Sequence, residues 1–270
     1  HSIQEIGGDL VFLSPDGIRT LAGTARIGDV ELTSVSRNIQ RIIGEITRNI
    51  NNLVITSVVL RSKSQYRLYY NNQSQASSLS KGIIGTFTGQ GFEWSETTGI
   101  EAPALDSGFL YSGVEQVVHG DTDGYIYNHD TGISFLHSGS ASNIDALYET
   151  PYLDFGDMGT RKTLQYAKIS VSPDVDAGGF AQPSLKVQFD FEDAIVQQPP
   201  VYVLPEIRGG ASFGTVFFNN AYFGSTDNPL IRQTIQGSCY TSNYTISSND
   251  QLAPYTINGL YINYVPAGRR

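Results

Sequence analysis

Three histidines and three aspartates lie close together in the middle of the sequence, and their side chains bind transition metals when they converge. They are His119, His129, His137, Asp121, Asp123 and Asp130. Neutral imidazole and carboxylate groups are common ligands of these metals, but the spacing of these residues matches no metal motif. We therefore expect structural or surface histidines here, and we assign no metal site to them.

The segment from Asp121 to Gly124 is similar to the first half of a calcium-binding loop. Two carboxylates one residue apart, followed by a tight glycine turn, can wrap a hard cation. The bidentate glutamate and the flanking helices that complete such a loop are missing from the sequence. A hairpin turn stabilised by aspartate is the interpretation that we favour for the segment. If the chain binds a metal at all, Asp121 and Asp123 are the candidate ligands.

Pairs of neighbouring carboxylates are the other groups that could do chemistry. Glycoside cleavage needs two of them about 5 to 9 Å apart across a sugar. The sequence contains neither a nucleophile elbow, nor a phosphate loop, nor a dinucleotide fingerprint. We therefore predict no catalytic residue, no cofactor and no enzymatic activity. An enzyme that cleaves glycans, such as a glycan depolymerase, is the least favoured of the interpretations considered. The pairs in question are Glu192 with Asp193, Glu93 with Glu96, and Asp154 with Asp157.

Several aromatic residues have side chains that stack on sugar rings when they are exposed. They are Trp94 with Phe92, and the group Tyr66, Tyr69 and Tyr70. Aromatic residues also dominate protein cores and interfaces, and this is the role that we expect for them. Sugar binding by an aromatic face remains the alternative.

The first half of the chain has the punctuation of antiparallel hairpins. Residues 10–19, 58–70 and 117–127 each contain two runs rich in β-branched and aromatic residues around a turn. Such recurring hairpins are typical of β-propeller blades. Because a closed propeller takes about 4 to 8 blades, we predict that residues 1–140 form partial, propeller-like hairpin repeats, truncated at the N-terminus, or an open array of sheets.

One short helix interrupts these strands. Ile39, Ile42, Ile43 and Ile46 follow the spacing of a single apolar helical face. Ser34 or Ser36 could cap the N-terminus of this helix. We expect a helix that docks on the core rather than a nucleic-acid recognition helix, because acidic residues interrupt the basic ones nearby. The basic residues are Arg26, Arg37, Arg41 and Arg48, and the acidic ones are Asp29, Glu31 and Glu45.

The second half of the chain follows a stretch of small residues at 139–143, where we place the domain boundary. Residues 141–270 are predicted to form an antiparallel β-sandwich, because about seven short strands of this kind are typical of that fold. The predicted strands are 147–153, 164–171, 185–191, 215–218, 231–236, 244–247 and 255–264.

Composition excludes several classes of protein. The 270 residues carry a formal net charge of −9 and a single cysteine, so an intramolecular disulfide is excluded and binding to phosphate backbones is disfavoured. The longest apolar runs are far shorter than the ~20 residues that cross a bilayer, so we expect no membrane insertion. His1 stands where Met is expected, and we expect that preceding structure has been removed.

Two parts of the sequence resemble tail structural proteins of tailed bacteriophages. Residues 9–21 and 32–40 resemble the last propeller blades of these proteins. The second stretch is the blade-like segment 119–127, followed by residues 148–156 and 161–162, and the ending at 261–270 is similar to the Gly-Arg-Arg finish of the same proteins. These stretches cover both halves of the chain.

The resemblance implies a non-enzymatic virion component of the tail. It would be a nozzle or hub subunit, a ring of copies of itself around the DNA exit channel, made in the host cytoplasm. Its partners would be itself and other tail or connector proteins, and DNA would pass through without specific binding. Individual interface residues remain unknown at this level. The alternative is a carbohydrate-binding module that acts as a host-surface adhesin.

Overall fold

The structure is a computed structural model, and it describes residues 2–21, 34–72, 80–132, 135–137, 139–173, 180–208, 230–251 and 255–269. Several predicted features lie outside these residues, namely Arg26, Asp29, Glu31 and the strand at 215–218. Within the described part of the chain, no helix has the length and apolarity that crossing a membrane requires.

The described residues are mostly antiparallel strands with one α-helix among them, and the predicted all-β fold class is confirmed. They form two compact units. The first contains His1–Thr131 and Leu136–Ser140, and the second contains Gly132–Phe135 and Ala141–Arg270. In the sequence between them, strands β11 (Phe135–His137) and β12 (Ser140–Ser142) pair with each other, so part of the stretch predicted as a linker is a strand.

The first unit contains three antiparallel meanders: β1-β2-β3, β4-β5-β6-β7 and β8-β9-β10. Each connects neighbours in sequence, as short turns require. The strands are β1 (Gln4–Ile6), β2 (Asp9–Ser14), β3 (Gly17–Thr20), β4 (Leu53–Leu60), β5 (Gln65–Asn72), β6 (Ser80–Thr88), β7 (Gly91–Ile100), β8 (Ala104–Phe109), β9 (Glu115–Gly120) and β10 (Ile126–Asn128).

The middle meander packs on both of its faces, because side chains alternate between the faces along a strand. Val59 and Leu68 join the core formed with β1 to β3 and the helix. Val58 and Leu60 instead pack against Val117 of β9. The β4–β5 part of this sheet therefore forms the central layer of the unit.

Helix α1 (Gln40–Arg48) docks on this core as its isoleucine spacing predicts, with Ile42, Ile43 and Ile46 buried. The expected serine cap is wrong, because neither α1 nor the 3₁₀ turn Arg37–Ile39 before it has a side-chain cap. The hydroxyl of Ser36 instead accepts a hydrogen bond of 2.9 Å from the backbone N–H of Ile18. Ser36 thus joins the helix entry to β3.

The three predicted hairpins are present, as β2-β3, β4-β5 and β9-β10. The β4-β5 hairpin turns through a 3₁₀ segment, Arg61–Lys63, and then Ser64 at a φ of 53°. The β9-β10 hairpin places Gly124 at a φ of 89°, a conformation that glycine adopts without a steric cost.

The second unit has two antiparallel sheets that contribute to one core. One sheet has the order β13-β21-β16-β17. In the other sheet the long strand β14 pairs with three strands, β19, β20 and β22. The strands are β13 (Ile144–Glu149), β14 (Thr160–Pro173), β15 (Phe180–Ala181), β16 (Ser184–Phe189), β17 (Tyr202–Val203), β18 (Ile207–Arg208), β19 (Leu230–Thr234), β20 (Ser238–Cys239), β21 (Ser242–Asp250) and β22 (Tyr255–Arg269).

Strand β14 illustrates how this core is filled. Leu164, Ala167, Ile169 and Val171 are all buried. In a regular strand Leu164 and Ala167, three residues apart, would point to opposite faces. A register shift against β22 between Leu164 and Tyr166 accounts for the change of phase. The extra residue of a β-bulge turns the following side chains to the opposite face, which keeps the strand apolar toward the core.

Candidate functional site

Two of the predicted histidines meet in the first unit. His119 lies in β9 and His129 follows β10, and their ring centroids are 4.5 Å apart in an edge-to-face arrangement. Tyr127 stacks on His119 at 5.0 Å, and Tyr69 of β5 approaches His129 at 5.9 Å. Nδ1 of His119 and Nε2 of His129 are buried and have no hydrogen-bond partner among the described residues.

This environment keeps both imidazoles neutral at physiological pH. Burial lowers the pKa of His129 to about 4, helped by repulsion from Arg67 and from His119 whenever His119 is protonated, and opposed by the charge of Asp130. Burial also lowers the pKa of His119, although the charges of Asp121 and Glu101 oppose it. Burial acts in this direction because it disfavours the charged form of a base.

Beside the pair lies a buried arginine with a matched carboxylate. Arg67 of β5 is 4% exposed and donates two hydrogen bonds to Asp130, at 2.5 and 3.3 Å. Lys63 also donates to Asp130, at 2.9 Å. Burial alone would raise the pKa of Asp130, but these hydrogen bonds and charges hold it at about 2. The carboxylate is therefore committed to its ion pairs.

The calcium-loop candidate is a hairpin turn. Oδ1 of Asp121 accepts the backbone N–H of Tyr125 at 2.8 Å, and Oδ2 accepts the hydroxyl of Tyr127 at 3.0 Å. Thr122 donates to the buried carboxylate of Glu101, while Asp123 is exposed. No cluster of three or more histidine, cysteine, aspartate or glutamate side chains suited to a metal occurs in the described ranges.

In the three carboxylate pairs, the side chains either face away from each other or accept other hydrogen bonds and ion pairs. Glu93 and Glu96 lie three residues apart on β7, so they point to opposite faces of the sheet. Asp154 accepts the N–H of Gly156, and Asp157 accepts the N–H of Gly159. In the third pair, Glu192 forms an ion pair with Lys186, and Asp193 accepts the N–H of Ile195.

The predicted stacking aromatics are mostly engaged inside the protein. Tyr66 and Tyr69 are almost fully buried, at 0% and 2% exposure. Tyr70, Phe92 and Trp94 pack partly buried against the core of the first unit. The indole N–H of Trp94 donates to the carbonyl of Val35 at 2.8 Å. These positions fit core packing better than a sugar platform.

Sequence reasoning missed an apolar tip on the β8-β9 hairpin. Phe109 is 61% exposed, Leu110 45%, Tyr111 110% and Val114 58%. Hydrogen bonds from the Leu110 N–H to the Val114 carbonyl and from the Gly113 N–H to the Leu110 carbonyl, each 2.8 Å, close the turn. The sequence does contain a signal of this tip, because Phe109, Leu110 and Tyr111 stand where a polar turn is expected.

A carboxylate fixes the first residue of β9, directly after the tip. Glu115 accepts the backbone N–H groups of Arg61 and Ser62 at 2.9 and 2.8 Å. Although burial raises it, the pKa of Glu115 is lowered by these backbone hydrogen bonds. The carboxylate thus joins β9 to the turn between β4 and β5, so the apolar tip projects from an ordered support.

A second exposed group, also missed, lies in the second unit. Phe191 is 66% exposed and packs against Tyr152 with ring centroids 4.2 Å apart. Asp190, Phe191 and Glu192 all have positive φ, at 48°, 60° and 57°. Such residues cost about 1 to 3 kcal/mol each. The Asp190 carboxylate holds the turn by accepting the N–H groups of Tyr240 and Thr241, both at 2.8 Å.

Comparison with known proteins adds no relative. The sequence matches no family model, and a search of curated proteins finds no match.

Proposed function

We propose that this protein is a non-enzymatic structural component of a phage tail, a nozzle or hub subunit that assembles with copies of itself around the DNA exit channel. Its neighbours would be other tail or connector proteins, and its location the virion. The resemblance of residues 9–21, 119–127 and 261–270 to tail proteins supports this assignment, and the surface of the first unit supports the assembly role.

The observation that carries the proposal is the exposed tip Phe109–Val114. None of its residues is charged, in a chain with 26 acidic and 17 basic residues. Exposed apolar patches of this kind mark protein interaction sites, and aromatic residues are enriched at the centres of interfaces. A protein whose role is to hold neighbours needs such a surface on an ordered support.

The packing of the first unit is compatible with a ring. We interpret the three antiparallel meanders as partial, propeller-like blades, a series that further blades or copies could extend. The net charge of −9 also suits a channel wall, because an acidic surface repels DNA whereas a basic one binds it through released counterions.

The test is assembly. Purified protein at high concentration should form rings visible by negative-stain electron microscopy, and antibodies against it should label phage tails. Tyr111→Ser, combined with Phe109→Ser, should abolish the rings, whereas the matched control Ile195→Ser, at a residue 93% exposed in the second unit, should not. Absence of higher assemblies together with unlabelled virions would refute the proposal.

One observation favours the alternative, a carbohydrate-binding module. Exposed Phe191 packs on the half-buried ring of Tyr152, and the strained turn that presents Phe191 invites a functional explanation. Lys186 and Glu192, joined at 3.0 Å, supply polar groups beside it for sugar hydroxyls. A glycan array decides: binding that Phe191→Ala abolishes would establish the alternative, and an array without signal would reject it.

A further inference from the structure

Strand β13 lies at the edge of its sheet, and no described strand of the second unit pairs with its outer edge. All six of its residues are exposed, including Leu147 at 70%, Tyr148 at 49% and Ile144 at 42%. Among the described residues it pairs only with β21. An exposed edge with apolar side chains is a template for pairing with another strand, and proteins normally protect such edges.

The two faces of β13 follow from its register. Tyr148 is opposite Ile246, which is 2% exposed and belongs to the core of the second unit. Because opposite residues in a ladder share a face, Ile144, Ala146 and Tyr148 face the core side. They line an open, largely apolar groove of about 420 Å³ with Tyr255 and Ile257 of β22. The core is therefore incompletely covered along this edge.

We propose that β13 pairs antiparallel with β13 of a second copy, about a two-fold axis through Ala146. Ile144 then lies opposite the partner's Tyr148, an aromatic and β-branched pair of the kind that stabilises sheets. Asp145 lies opposite the partner's Leu147, and Glu149 opposite the partner's Asn143. The smallest side chain of the strand, Ala146, meets its own equivalent at the axis.

This register is singled out by charge. A two-fold axis perpendicular to the sheet keeps the core faces of both copies on the same side, and it must pass through a residue of the strand. An axis through Asp145 would oppose that carboxylate to itself. An axis through Leu147 would oppose Asp145 to the partner's Glu149 twice. Opposed like charges destabilise a ladder. Because axes at Ile144 or Tyr148 would pair only one end of the strand, Ala146 is the position that avoids like charges and still pairs most of it.

The self-complementarity of the strand is the reason to assign a second copy as occupant. The pair would join two four-stranded sheets into one and would bring both apolar grooves together under the new ladder. A two-fold contact closes on itself. The neighbours around a proposed ring must therefore meet through another surface, such as the tip Phe109–Val114.

The test uses the full chain in sedimentation velocity and light scattering. Wild-type protein should dimerise, and Leu147→Asp should weaken the dimer by about tenfold or more, because it places one new carboxylate opposite Asp145 of each copy. The control Val203→Asp alters a residue 66% exposed on β17, at the opposite edge of the same sheet, and should leave dimerisation unchanged. Circular dichroism should show wild-type folding in both variants.

Charge reversal tests the register itself. Adding Asp145→Lys to Leu147→Asp places opposite charges across both positions and should restore the dimer. Ala146→Cys should give a disulfide-linked dimer on oxidation, because opposite residues of an antiparallel pair are about 4.5 to 5.5 Å apart at Cα, whereas Val203→Cys should not. The native Cys239 is buried and does not compete.

A wild-type chain that stays monomeric, a Leu147→Asp variant that dimerises normally, or Ala146→Cys without cross-linking would each overturn the inference. The inference adds a partner to the proposed assembly role, and the two fail separately. A dimer through β13 without rings or tail labelling would remove only the proposed function. Rings that form from a chain with an unpaired β13 would remove only this inference.

Discussion

Acid should destabilise the first unit through the buried histidine pair, and His129→Phe should remove most of this effect. In the unfolded chain a histidine binds a proton below its usual pKa of 6.5, whereas folded His129 stays neutral until its pKa of about 4. Between these values the unfolded state binds more protons, so stability must fall as the pH falls.

The magnitude follows from the same pKa values. A difference of one pH unit in pKa corresponds to about 1.4 kcal/mol, so the step from 6.5 to about 4 gives a full loss of roughly 3 kcal/mol. About 2 kcal/mol of this is lost between pH 7 and pH 5. The ion pairs of Asp130 do not interfere, because their contribution is lost only as the pH falls from 3.8 toward about 2.

The assay is urea denaturation at pH 7 and pH 5, followed by tryptophan fluorescence. Trp94 is the only tryptophan and belongs to the core of the first unit, so the signal reports that unit. Phenylalanine keeps a ring against Tyr69 and His119 but cannot be protonated. If wild-type protein and His129→Phe lose the same stability between these pH values, the assigned cause is wrong. His119→Phe should give a change in the same direction.

Three further changes test other parts of the structure. Asp130→Ala leaves the buried guanidinium of Arg67 without its carboxylate, which should cost about 3 kcal/mol or more in the same denaturation assay. A loss below about 1 kcal/mol would contradict the dependence of the buried Arg67 charge on Asp130. Gly237→Ala should lower the free energy of unfolding by about 2 kcal/mol or more, measured in thermal melts. Gly237 has a φ of 130°, and a Cβ would lie 2.4 Å from the ring of Phe189. Gly259→Ala, where a Cβ would make only ordinary contacts, is the control and should cost less. Burial raises the pKa of Cys239 to about 11, so its thiol should react with Ellman's reagent at pH 8 at least a hundredfold more slowly in the folded protein than in urea, and equal rates would show that the site is open.

The hairpins and the helix were predictable because their signals are local. Gly124 marks a turn between two apolar runs, and the isoleucines of α1 recur at helical spacing. The cap was not predictable, because Ser36 is used by Ile18, which is distant in sequence. Strand ends were displaced for a similar reason: the strand predicted at 147–153 is β13, Ile144–Glu149, whose extent is set by pairing with β21.

The surroundings of His119 and His129 could not be predicted from the sequence, for a different reason. The sequence shows that His119 and His129 are near each other along the chain, but Tyr69 and Arg67, which help to enclose and neutralise them, come from β5. Only the packing of the middle meander against β8 to β10 brings these groups together. The exposed surfaces are harder still to foresee, since an apolar run in sequence predicts burial until the fold shows that nothing covers it.

The acidity of the chain and its exposed apolar surfaces act together on how it can associate. At a net charge of −9, two copies that approach at random repel each other, and the repulsion extends over about 8 Å at physiological salt. Close approach is favoured only where carboxylates are absent or can be kept apart. The tip Phe109–Val114 meets the first condition and the register of β13 about Ala146 meets the second. The same charge that weakens unspecific contacts therefore restricts assembly to a small number of defined ones, as a scaffold with fixed neighbours requires.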